Sequence, residues 1–399
     1  MEIKLSKEGL NKTRVILLLL SGLVFHDFLA VPEFKIGVIT ITYLRVMLIV
    51  CIPLLIFLYK IRIYKNDYLA YGFILFMLYG LTRIEGNFKE AFSLYCPLVA
   101  FLILYISIHG KELLDKCIDF LSSMLVVFCF LGLFEIVTGI HFVETHLELV
   151  NDNRVVACGM YFNENDFSAF LSVLIVYMIQ SSFKKYTKVF FVVFAFVIVC
   201  INRSVICIIG LVSFLLVIFI LKSKHNRMFR LVGVALLLFI TIKPVIDLIN
   251  STSFWWRSYM YSIGIKNVIS HMLIGTGIGK YSDGMINVGY DLSYRGASAD
   301  PHNLFYELAG TFGIVWAILL IVYLIKLMFW NLNRVSNNEN LYVFGLVYII
   351  PFVGLASSSC MEKNYIYLAL LIPAIYYRLY TCNDETVIRI KKHFVISKK

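Results

Sequence analysis

Charge is what this sequence has least of. Asp, Glu, Lys and Arg make up 15% of its 399 residues, while hydrophobic side chains make up 60%. A soluble domain carries about 25% charged residues. That shortfall excludes an ordinary soluble fold and leaves a single polytopic membrane domain over 1–399 as the expectation. Several motifs are missing too. The nine cysteines form no CxxC pair and no Cys/His spacing. Most lie inside apolar runs, where cysteine behaves as a small hydrophobe. No His, Asp or Glu cluster has metal-ligand spacing, and no GxSxG or paired Ser/His/Asp pattern occurs, so no metal and no cofactor are expected. No small-residue cleavage site follows the first apolar run, which argues against a cleavable signal peptide. Neither an internal repeat nor a second, soluble domain is visible.

What is present is length of apolar chain. Runs of about 17 to 25 residues, the length a bilayer requires, fall at roughly 14–31, 37–59, 67–83, 90–109, 116–139, 165–183, 187–201, 204–221, 230–249, 303–330, 341–360 and 363–380. The expected fold class is therefore all-α, with about twelve transmembrane helices. The formal net charge of +11 does not point to nucleic acid, because the positives sit in short tracts between apolar runs. With a cytoplasmic N-terminus, the inner side collects Lys4, Lys7, Lys12 and Arg14, then Lys60, Arg62 and Lys65, then Lys184, Lys185 and Lys188, and finally the basic tail from Arg389 to Lys399. Such alternation predicts both termini cytoplasmic. The pair 187–201 and 204–221 reads either as two spans or as one re-entrant unit. Two long outer loops result, 140–164 and 250–302, the second between spans 9 and 10.

Orientation makes misplaced polar residues informative, since charge within a span is costly and faces a cavity or a partner. His26, Asp27, Arg45, Glu135, Asp166, Arg203, Lys243 and Glu307 all fall near the outer ends of their spans. Snorkelling accounts for any one of them. All of them on one side, with both long loops, predict a polar cavity open to the outer leaflet. The interval from Ser251 to Trp316 gathers most of the remaining chemistry. Gly275-Thr-Gly277-Ile-Gly279-Lys280 fails the GxxxxGK[ST] pattern of a phosphate loop at Ile274 and Tyr281. It reads instead as a tight turn after an amphipathic helix at 258–273. Arg257, beside Trp255 and Trp256, either decorates an aromatic belt or binds phosphate. Arg203 either anchors a helical hairpin or holds a pyrophosphate in its planar fork. His302, where a polar loop enters a span, either caps that helix or serves as a base near neutrality.

Taken in order, these residues resemble the bacterial O-antigen polymerase (Wzy) and O-antigen ligase superfamily. The matching elements are Tyr161-Phe-Asn163-Glu-Asn165-Asp166-Phe opening a span, Asn202-Arg203-Ser204 at a hairpin, and Arg257-Ser-Tyr259. Gly275-Thr-Gly277-Ile-Gly279 and Pro301-His302-Asn303 ahead of Gly310-Thr-Phe-Gly313 complete the set, over roughly 150–320. The first five spans match only in hydropathy, and Glu164 stands where many relatives have proline.

The resemblance implies a GT-C-like glycosyltransferase of the bacterial plasma (inner) membrane whose site faces outward. Its donor and acceptor would be undecaprenyl-pyrophosphate-linked oligosaccharides, its surroundings membrane lipid, and a chain-length regulator protein a further partner. The reaction would be inverting and metal-free. His302 would be the general base, and Arg203 and Arg257 would hold the departing pyrophosphate. Asn163, Asn165, Asp166, Asn303, Tyr306 and Glu307 would contact substrate, with helix capping as the alternative for Asn165. Polymerase is the first reading, because the Asn163–Phe167 element resembles polymerases more than ligases. A ligase with lipid A-core as acceptor and a non-enzymatic flippase or exporter are the alternatives. A flippase calls for midplane charge and pseudo-symmetric halves, and neither is visible.

Overall fold

The computed structural model describes residues 7–26, 35–36, 39–58, 62–64, 67–85, 88–143, 155–222, 252–291, 302–332, 338–356, 360–382 and 387–389. The span expected at 230–249, Asp27, Lys243, Pro301 and most of the basic tail lie outside the described residues.

Among the described residues the chain is helical. Eight helices precede the polar interval: α1 Lys7–Val24, α2 Tyr43–Leu58, α3 Tyr68–Leu81, α4 Phe88–Ser107, α5 Lys111–Thr138, α6 Glu164–Gln180, α7 Lys185–Ile201 and α8 Val205–Lys222. Six follow: α9 Thr252–Ser270, α10 Tyr281–Asn287, α11 Leu304–Phe312, α12 Ile314–Leu332, α13 Asn338–Ala356 and α14 Asn364–Thr381. Two small antiparallel ribbons accompany them, β1 Lys35–Ile36 with β2 Ile39–Thr40, and β3 Arg62–Tyr64 with β4 Val387–Arg389.

Apolar length makes these helices, and short polar side chains set their starts. Asp67 Oδ1 accepts from the Ala70 amide at 3.1 Å and caps α3. Asn163 Oδ1 accepts from the Asp166 amide at 2.9 Å and caps α6. Each side chain takes up an amide that the first helical turn leaves without an intrahelical acceptor. Among the described residues, three stretches are long and apolar enough to cross a membrane: Phe88–Ser107, Lys111–Thr138 and Ile314–Asn331. Shorter apolar stretches occur at Tyr43–Ile56, Tyr68–Leu81, Val205–Ile218 and Val343–Ala356. Around the bundle α5, α7 and α12 turn Phe130, Val137, Val189, Phe190, Ile318 and Val322 outward. A belt of this kind fits hydrocarbon rather than water.

At the centre stand α6 and α14, buried along nearly their whole length. Tyr177 of α6 donates its hydroxyl to the Leu368 carbonyl of α14 at 2.6 Å. Helix α13 packs against both, α5 and α7 close over α6, and α4 packs on α14. Helices that are apolar all round belong in such interior positions.

The run expected as one span at 303–330 is two helices. Gly313 has φ +96 and turns the chain between α11 and α12. In a continuous helix the Ile314 amide would bond to the Gly310 carbonyl. Here that carbonyl accepts from Thr276, from its amide at 2.7 Å and from its hydroxyl at 3.1 Å. Ile314 donates instead to the Met272 carbonyl at 2.8 Å, and Gly277 to the Thr311 carbonyl at 3.0 Å. The turn at 271–280 thus supplies the bonds that the broken helix gives up. Its glycines make room for this. A Cβ on Gly275 would lie 2.3 Å from the Thr311 backbone, and one on Gly313 would lie 2.2 Å from the Leu273 carbonyl oxygen. The expected loop at 250–302 is therefore largely helical in its described part, holding α9, this tight turn and α10.

Candidate functional site

The polar residues expected at the outer ends of the spans divide into two groups. Glu135, at the end of α5, accepts from the Cys158 and Gly159 amides at 2.7 Å each and from Phe142 at 3.3 Å. Arg45 of α2 bonds to Ser93 Oγ at 3.2 Å and lies 4.8 Å from the centre of the Phe92 ring. Asn202 accepts from the Ala157 amide and donates to the Ala157 carbonyl, both at 2.8 Å. It also reaches Glu164 O and Ser168 Oγ. Each of these side chains binds loop backbone or a neighbouring helix, so they hold the frame.

The second group surrounds His302. This residue has φ +47, a left-handed conformation that histidine, asparagine and aspartate tolerate better than most side chains. Two bonds fix the turn: the Tyr261 hydroxyl donates to the His302 carbonyl at 3.2 Å, and Asn303 Oδ1 accepts from the Phe305 and Tyr306 amides at 2.9 and 3.3 Å. Asn303 is thus the cap of α11, and His302 is released from that task. The His302 Nδ1 atom is buried without a hydrogen-bond partner among the described residues. Burial, and then the charges of Arg257 and Lys363, press the His302 pKa from 6.5 down to about 4. The imidazole is therefore neutral at pH 7, within electrostatic reach of two cations.

Arg257 lies on α9 and donates to the Leu355 and Ala356 carbonyls at 2.8 and 3.4 Å, at the C-terminal end of α13. That end carries the negative pole of the helix, so the guanidinium is held by backbone. Lys363, just before α14, pairs with Asp166 at 3.0 Å. Asp166 is 1% exposed, in the first turn of α6. Its carboxylate also accepts from Tyr365 Oη at 3.4 Å and Asn163 Nδ2 at 3.3 Å. Glu307 accepts from the Met361 amide at 3.3 and 3.4 Å. Tyr306 meets Tyr261 edge to face, ring centres 5.6 Å apart. The site is thus a neutral histidine on α11's approach, an arginine fixed to the end of α13, and a lysine–aspartate pair joining α14 to α6.

Of the sequence-predicted residues, the fold gathers His302, Arg257 and Asp166, with Asn163, Asn303, Tyr306 and Glu307 supporting them. Asn165 is half-buried in the first turn of α6. Arg203 is exposed at the α7–α8 hairpin with φ +54, and it is not among the charges that act on His302. It stands one turn before Cys207, a thiol within electrostatic reach of both Arg257 and Asp166. Sequence reasoning missed Lys363, Tyr261 and Tyr365. Lys363 left a signal, a cation at the outer end of the last apolar run, where the charge pattern puts few positives. No protein-family model matches this chain and no curated protein matches it, so the reading of the cluster rests on its own geometry.

Proposed function

We propose that the chain is an inverting glycosyltransferase of the bacterial plasma membrane. It polymerises a surface polysaccharide such as O-antigen from undecaprenyl-pyrophosphate-linked repeat units, within a GT-C-like frame of about twelve spans. The observation that carries this reading is a buried, neutral His302 within electrostatic reach of Arg257 and Lys363. A neutral imidazole can take a proton, and two cations beside it can hold the anion that leaves.

In the reaction, a hydroxyl oxygen of the acceptor sugar attacks the anomeric carbon from the face opposite the pyrophosphate. The carbon–oxygen bond to the pyrophosphate breaks, the glycosidic bond forms, and the hydroxyl proton passes to His302. The bond electrons leave on the lipid pyrophosphate, where Arg257 and Lys363 stabilise the charge that a metal would otherwise meet. Arg203, exposed at the rim, serves the incoming pyrophosphate.

A histidine held near 4 is a weak base in the empty site, because the best base titrates near the working pH. Burial is the larger cause and stays, but the donor relieves the part due to charge. Its pyrophosphate neutralises the two cations, which lifts the largest charge effects on His302 and raises its basicity. The base thereby strengthens when a leaving group is in place. Glycan transfer from a purified lipid-linked repeat unit in proteoliposomes tests the reading. Product with inverted anomeric configuration is expected from wild type, and at least about a hundredfold less of it from His302→Asn; retained configuration would sink the mechanism.

A further inference from the structure

A cavity of about 600 Å³ lies between α3, α12 and α14, within the roughly 300–1,000 Å³ of small-molecule sites. Gly72, Phe73 and Phe76 of α3, Leu319 and Leu320 of α12 and Leu370 of α14 give it apolar walls. Along α14 its lining runs from Ile366 to Thr381, a length of about 22 Å at 1.5 Å per residue. The stretch up to Arg378, about 18 Å, is close to one leaflet, half of a hydrocarbon core about 30 Å thick.

One end is polar. Asp67, Tyr105, Tyr323 and Arg378 all line the cavity, and the Tyr105 hydroxyl donates to Asp67 Oδ1 at 2.6 Å. Asp67 is 2% exposed and Arg378 1%. Both terminal nitrogens of Arg378 are engaged by the Tyr105 and Ile108 carbonyls. Yet Asp67 Oδ2, the Tyr323 hydroxyl and Arg378 Nε are buried without hydrogen-bond partners among the described residues. Buried polar groups are almost always satisfied, so three orphans at one end of one cavity call for a ligand. Lys326 lines the same cavity and is exposed, its ammonium 5.2 Å from the centre of the Tyr377 ring.

We propose that this cavity holds one acyl chain of a bilayer phospholipid whose headgroup carries a primary ammonium. The chain fills the apolar length. The ammonium donates to Asp67 Oδ2, and the phosphate accepts from the Tyr323 hydroxyl and the Lys326 ammonium. Acceptor and cation together select a zwitterion, and an orphan acceptor needs a true N–H donor. A quaternary ammonium has none. The polar end is remote from the His302 cluster, because Lys363 precedes α14 while Arg378 lies in its last turn, although the apolar end reaches Leu304 and Met361 beside that cluster. The lipid site does not rest on the glycosyl-transfer reading.

The test uses the full chain, reconstituted in vesicles of equal phosphatidylethanolamine and phosphatidylcholine, re-extracted in detergent and weighed by native mass spectrometry. Wild type is expected to keep one phosphatidylethanolamine per chain, favoured roughly tenfold over the choline lipid. Gly72 lines the cavity and a Cβ added there meets nothing within 4 Å, so Gly72→Leu is the variant chosen to fill the groove. It is expected to retain roughly tenfold less lipid. Asp67→Asn keeps an oxygen for the Ala70 amide and the Tyr105 hydroxyl but removes the Oδ2 acceptor, and it is expected to lose the headgroup preference. Tyr323→Phe and Lys326→Gln, which touch only the shared phosphate, are expected to retain less of both lipids, with thermal unfolding confirming that each variant is folded. Wild type that keeps no lipid, or keeps the two lipids equally, overturns the proposal. So does Gly72→Leu that keeps the wild-type amount. If Gly72→Leu does not fold, Asp67→Asn decides: an unchanged preference overturns the proposal.

Discussion

His302 demands a substitution that respects its backbone. Its φ of +47 suits asparagine but strains most side chains. His302→Asn is therefore expected to insert and fold, while transfer falls at least about a hundredfold, the lower end of what a general base contributes. Undiminished transfer by that variant would remove His302 from the chemistry. Acid tests the same residue without substrate. Folded His302 titrates near 4, against an ordinary value of 6.5, so between these values the unfolded chain binds the extra proton. Its contribution to stability is complete above about pH 6.5 and is lost as pH falls toward about 4. Thermal melts should show wild type losing Tm across that window more steeply than His302→Asn. Lys363→Gln acts in the opposite sense on the imidazole. Removing a cation raises the His302 pKa, so the acid limb of the pH–rate profile should move to higher pH. A limb that stays in place would separate Lys363 from His302.

Among the elements, the junction of α11 and α12 is the most sensitive to a single methyl group. Gly313→Ala would force a Cβ against the Leu273 carbonyl at φ +96. Gly289 has a comparable φ of +101 with nothing within 4 Å of an added Cβ. Gly289→Ala should then cost only the backbone strain, about 1–2 kcal/mol, and Gly313→Ala clearly more. Equal losses in thermal unfolding would refute the docking of the 271–280 turn into the helix break. This junction also shows where sequence reasoning stops. The helices themselves were legible, because apolar runs at the expected positions became α1 to α8 and α12 to α14. The tight turn at Gly275, Gly277 and Gly279 was legible as well, from glycine spacing. The break at Gly313 was not, because its missing bonds are made by Met272, Thr276 and Gly277, some forty residues earlier. Lys363 escaped for the same reason: its partner Asp166 is nearly two hundred positions away. Local pattern reveals elements, and it is silent on which remote groups they meet.

For the whole molecule, the proposed reaction makes two predictions that need no variant. EDTA should leave transfer unchanged, since the charge on the leaving group meets Arg257 and Lys363; inhibition reversed by a divalent ion would overturn the metal-free reading. In cells that make lipopolysaccharide, loss of the gene should leave core carrying a single repeat unit, because a separate ligase still works. Bare core with long polymer held on the lipid carrier would instead favour the ligase reading. One feature of the bundle also governs how such a protein comes to exist. Helix α14 is among its most enclosed elements, yet the ribosome makes it after every other described helix. Until it emerges, α6 lacks the partner for Tyr177, and Asp166 lacks both Lys363 and Tyr365. The earlier helices must therefore wait in the lipid around an unfilled centre. A nascent chain stalled short of α14 has no Tyr365 for Asp166 and no helix to hold Lys363 in place, so the site is completed only as biosynthesis of these helices ends.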